Sequence, residues 1–188
     1  MITRPQQKLA FVPMAVSLTL ILSCSKGTTS LIQNSEAKSA SGWSIKVLAV
    51  SQPATVNIKD RSNFGGTLPE KAAAPAANQS WVQLNVEMTP PSTPAPLSAK
   101  QIKLTDGSSS FSALAMSAVP DKGEPAFMYF KDSSGLAQIS AEGQIKWAIL
   151  NNKSTGDPEI LFQKGGSEKV FLLFAVHSSA KNLSLQIS

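Results

Sequence analysis

The chain has 188 residues, with 17 Lys or Arg against 12 Asp or Glu, a single His and a single Cys. One cysteine excludes an intrachain disulfide and one histidine excludes a multi-histidine metal site, so the fold must hold by packing alone. The formal charge of +5 is scattered along the chain, which excludes the basic patch a nucleic-acid partner requires, and the length suffices for one domain with a core.

Residues 1–24 read as an export signal. Arg4 and Lys8 give a positive start, Leu9 to Leu22 run almost without polarity, and Ile21-Leu22-Ser23-Cys24 closes the segment. An apolar stretch of this length is too short to span a bilayer as a helix. The four closing residues resemble the lipobox of bacterial lipoproteins: an aliphatic residue, a tolerant position, a small residue, then cysteine, with Leu22 standing where a small residue is more usual. The resemblance implies a leader cleaved after residue 23, a diacylglycerol thioether on Cys24 and an acylated new amino terminus. Its implied address is the bacterial cell envelope, with the membrane as partner through Cys24. Ser25 replaces the aspartate that retains enterobacterial lipoproteins at the inner membrane, so the same resemblance implies an outer-membrane location in a Gram-negative source. Loss of Arg4 and Lys8 leaves 15 basic against 12 acidic side chains, about +3 over 165 residues.

Residues 24–42 are rich in Ser, Thr, Lys and Ala and hold one apolar pair, Leu31-Ile32. They are expected to form a flexible tether. From Trp43 the apolar period becomes two, the mark of half-buried strands, and a domain is expected over 43–188. Trp43, Ile45 and Val47 alternate with Ser44 and Lys46, and Ala54 to Lys59 is expected to pair with that strand across Gln52-Pro53. Asp60 to Gln79 holds Gly65-Gly66, Pro69, Pro75 and an alanine cluster, and is long enough for a connection to suggest mobility or function.

Trp81 to Met88 is the clearest strand, with Val82, Leu84, Val86 and Met88 on one face. Pro90, Pro91, Pro94 and Pro96 stop it, because proline supplies no ladder donor. Gln101 to Thr105 and Phe111 to Met116 flank the turn-forming Asp106-Gly107-Ser108 and read as a hairpin. Ala126 to Lys131 follows, and after Asp132-Ser-Ser-Gly135 and a weaker stretch comes Gln144 to Leu150, with Ile145, Trp147 and Ile149 expected on one face. Glu159 to Gln163 is a strand followed by a Lys164-Gly-Gly-Ser167 turn. Val170 to Val176 is apolar on both faces, as befits a central strand, and Leu183, Leu185 and Ile187 alternate with polar neighbours. No stretch after the leader sustains a period of 3.6. The reading is an all-β, antiparallel sandwich.

The order of these parts resembles the small immunoglobulin-like domains of unknown function carried by many bacterial lipoproteins. The likeness lies in a tryptophan-bearing first strand, Trp81 to Met88, Ile102-Lys-Leu-Thr-Asp-Gly107, Val170 to Val176 and Asn182 to Ile187. It implies a fold and an address, and it carries no catalytic residues or cofactor.

The chemistry inventory is sparse. His177 ends a strand before Ser178-Ser179, where a solvent-exposed or capping role is ordinary, and no G-x-S-x-G elbow is present. Asp121 and Glu124 are a close carboxylate pair but too few oxygens for calcium. Met88, Met116 and Met128 with His177 offer soft donors of the kind Cu(I) favours, yet each methionine falls in a strand pattern where packing is its usual use. Phe127, Tyr129 and Phe130 occupy both faces of one strand and are the candidate recognition surface. The function expected is therefore a non-enzymatic binding or structural module, lipid-anchored and without metal or cofactor, contacting a protein or envelope polymer. A periplasmic hydrolase or copper carrier is the alternative.

Overall fold

The computed structural model describes residues 31–59, 70–93, 95–132, 136–139, 142–162 and 166–188. It is all-β, with strands β1 (Glu36–Lys38), β2 (Ser44–Ser51), β3 (Val56–Lys59), β4 (Glu70–Ala73), β5 (Gln79–Thr89), β6 (Leu97–Ser98), β7 (Ile102–Thr105) and β8 (Ser110–Ser112). Next come β9 (Ala115–Ala118), β10 (Ala126–Tyr129), β11 (Leu136–Ile139), β12 (Ile145–Asn151), β13 (Pro158–Phe162), β14 (Glu168–His177) and β15 (Ser184–Ile187). Two short 3-10 turns, at Ala99–Gln101 and Phe130–Asp132, are the only helical elements among the described residues.

An eight-stranded sheet runs in the order β1-β2-β5-β14-β9-β10-β3-β4, facing a four-stranded sheet β11-β12-β13-β6 and a three-stranded sheet β15-β7-β8. The arrangement is sandwich-like. Alternation along β5 sends Val82, Leu84, Val86 and Met88 to one side, where all four are fully buried. They meet Val170, Leu172, Phe174 and Val176 of β14, Trp147, Ile149, Ile160 and Phe162 of the four-stranded sheet, and Ile102, Leu104, Leu185 and Ile187 of the three-stranded one. Trp43 fills the end of this core, edge-on to Phe162 at 5.3 Å, and its indole N–H donates to the Ala95 carbonyl at 3.0 Å.

A second, smaller core lies on the other face of the large sheet, formed by Val56, Ile58, Trp81, Ala115, Phe127 and Leu173. It exists because the sheet curls. β4 is five places from β5 in the sheet, yet its Ala73 carbonyl accepts the Trp81 indole N–H at 3.1 Å. Apolar residues on both faces of β14 therefore serve two cores, as its sequence predicts.

Four expectations are corrected. First, the chain from Leu31 onward is part of the domain and not tether: Ile32 is buried and bridges Leu183, the Asn34 side chain bonds the Leu185 backbone, and β1 pairs with β2. One apolar pair suffices because its partner strand, 151 residues away, is already buried. Second, β3 does not pair with β2; it lies parallel to β10 and antiparallel to β4, so Val56 and Ile58 reach the second core. Part of the long 60–79 segment is thus strand, while 60–69 lie outside the described residues. Third, residues 111–116 are not one strand. The chain crosses between sheets at Ala113 and Leu114, whose N–H groups donate to Ile102 and Leu173 carbonyls respectively. Fourth, Ile145 is 54 % exposed, because the register shifts between Gln138 and Ile139 and leaves Lys146 as an extra residue that turns Ile145 away from Trp147 and Ile149.

A similar bulge at Leu48 of β2 lets Val47 and Val50, of opposite parity, both pack on the main core. The β7–β8 turn is held by Asp106, whose carboxylate accepts from the N–H groups of Ser108 and Ser109 and from the Ser108 hydroxyl. These bonds, that from Ser109 foremost, hold its carboxyl below the usual range. In the β1–β2 turn Gly42 has φ +91°, and a Cβ there would lie 3.1 Å from Pro91 Cβ. Gly107 has φ +88° with open space around it. Gly42→Ala should therefore cost about 1–3 kcal/mol and more than Gly107→Ala. Chemical denaturation of both variants checks this, and equal losses would contradict the close approach to Pro91.

Candidate functional site: a polar groove beside Trp147

Cys24 lies outside the described residues, so the anchor enters only as a sequence expectation. The aromatic surface is largely corrected. Phe127 is fully buried in the second core, and Phe130 is 4 % exposed in the main one. Alternation on β10 turns Phe127 into the curl of the sheet. The chain then enters a 3-10 turn, which breaks the parity and swings Phe130 to the opposite side. Tyr129 alone remains half-buried, with Lys131 Nζ 5.5 Å from its ring centroid.

His177 is exposed at the end of β14, edge-on to Phe111 at 5.4 Å. Met88, Met116 and Met128 are all buried. Met116 pairs with Leu172, five residues along β14 from His177, roughly 17 Å at strand rise, so the soft donors do not converge on the imidazole. Among the described residues no cluster of three or more His, Cys, Asp or Glu could hold a metal ion.

A groove forms where the large sheet meets the β11–β12 hairpin. One lobe, about 630 Å³, lies between Asn57 and Lys59 of β3, the 119–124 loop, and Gln138 of β11. The second, about 430 Å³, extends toward Lys146 of β12 and Glu168 of β14. Ala118, Val119, Gln138 and Trp147 line both lobes, which are therefore adjacent. The Lys146–Glu168 ion pair, 3.7 Å, ties the small sheet to the large one at the far end.

The carboxylate pair singled out from sequence, Asp121 and Glu124, stands on the wall of the first lobe. Asn57, Val119, Gln138 and Trp147 carry no local signal of a site: each is an ordinary strand or loop residue, and only the tertiary arrangement brings them together. On the large sheet the groove runs from β3, β10 and β9 in its first lobe to Glu168 and Lys169 of β14 and Glu87 of β5 in its second, two strands from β1.

Fold and groove thus define an all-β, sandwich-like protein with a polar cleft on one flank. No family model, no curated protein and no solved structure matches the chain.

Proposed function

We propose that the chain is an envelope lipoprotein, anchored through Cys24, whose immunoglobulin-like sandwich is a non-enzymatic binding module. The observation that supports binding is the polar groove, an open cleft in the size range of ligand sites, on a scaffold whose two cores commit the remaining side chains to packing. Because Leu31 already belongs to the domain, the span from Cys24 to the fold is at most roughly 25 Å when fully extended. The domain then stands close to the bilayer.

The test is photocross-linking in intact cells. A photoreactive residue replacing Val119 on the groove rim should form an adduct with an envelope component. The same residue replacing exposed Lys181, in the β14–β15 connection, should not. Identical adducts from both positions, or none from either, would count against a groove-directed binding module. In the same cells His177→Ala should leave the Val119 adduct unchanged, because no ligand or base role falls to the imidazole. A hydrolase or copper carrier would instead lose a measurable activity on that substitution.

A further inference from the structure

We propose that the groove binds a neutral polyhydroxylated polymer, a glycan strand, with Trp147 Nε1–H and the Gln138 amide making hydrogen bonds at its middle; this rests on the binding-module reading above. Three tryptophans are buried, and two of them donate their indole N–H to backbone carbonyls, Trp43 to Ala95 and Trp81 to Ala73. Trp147 is only 3 % exposed, yet its N–H has no acceptor among the described residues. Nor is it sealed from solvent: the one enclosed side-chain polar atom without a partner among the described residues is Asn85 Oδ1. Trp147 itself lines both lobes of the groove. Water satisfies such a donor in the free protein, and a ligand hydroxyl that takes the place of that water can accept the same hydrogen bond.

Gln138 and Asn57 are half-buried in the same groove, and neither side-chain amide has a protein partner among the described residues. An amide offers donor and acceptor side by side, which matches a hydroxyl that does both. Val119, 42 % exposed and lining both lobes, supplies an apolar contact for the C–H face of a sugar ring. Four lysines against five carboxylates line the two lobes, with the signs interspersed. Such a lining gives no net field to recruit a polyanion, which selects a neutral chain. The two adjacent lobes suit an elongated ligand of several linked rings. A peptide is disfavoured. It would add to the free edge of β11 and need apolar pockets for alternate side chains, whereas this wall is polar.

The experiment titrates the full chain, produced with its leader and purified from membranes in detergent, with two neutral hexasaccharides, cellohexaose and the hexamer of N-acetylglucosamine. Calorimetry gives the affinity, and the part of the indole fluorescence change that is lost in Trp147→Phe reports on Trp147, since Trp43 and Trp81 also emit. At least one hexasaccharide should bind saturably. Gln138→Ala should weaken it about three- to tenfold, the value of one net hydrogen bond, without moving the melting temperature. Trp147→Phe keeps a ring and removes the N–H, and should weaken it by a similar factor, while Lys181→Ala changes nothing. Absence of binding by both hexasaccharides overturns the proposal, as does binding indifferent to Gln138→Ala. Binding of an extended peptide or of heparin in their place overturns the glycan assignment and leaves the binding-module reading standing. That reading falls separately, on the cross-linking from Val119.

Discussion

Leu84→Ala should lower the unfolding free energy by about 2–5 kcal/mol, the range for truncating a fully enclosed core leucine. Leu84 has no exposed surface, sits opposite Leu172 on one side and Val50 on the other, and belongs to the core shared by all three sheets. Truncation leaves a void that neighbours held in two ladders cannot readily close, so the loss of buried area and of contacts both count. Gln83, the preceding residue, is half-buried on the other face, and Gln83→Ala should cost little. Urea unfolding of the two variants separates them. Equal midpoints would mean that the facing of β5, and with it the sandwich, is misassigned.

Cys24→Ala should have the largest effect on location. Without the thiol no thioether forms, and lipoprotein processing either stalls or yields a protein with no acyl chain. Fractionation should then find the domain in the soluble periplasmic material or as unprocessed precursor. The wild type should stay with membranes through a high-salt wash, since several acyl chains together hold firmly where one holds marginally. A Cys24→Ala protein that remained in the membrane fraction fully processed would require a different anchor.

Strands with strong alternation were legible from the sequence. Val82, Leu84, Val86, Phe174, Val176, Leu183 and Leu185 all lie in the main core, as their spacing predicts. What escaped was set by distant partners. Ile32 is buried only because Leu183 waits for it, and β3 joins β10 because the curl of the sheet offers a second core that no local pattern encodes. Bulges did the rest: one extra residue at Lys146 reverses Ile145, and the 3-10 turn at Phe130 undoes the alternation that begins at Phe127. The groove was illegible for the same reason. Asp121 and Glu124 stood out as a pair, but Asn57, Gln138 and Trp147 come from three strands in two sheets, and each is unremarkable in its own segment.

The central claim, an anchored envelope protein whose domain begins shortly after Cys24, is tested most directly by intact-mass measurement of the protein extracted from membranes. The account predicts a chain starting at Cys24 that carries the added mass of acyl groups, with residues 1–23 gone. A chain that retained its leader, or one that began at Cys24 with an unmodified thiol, would contradict it.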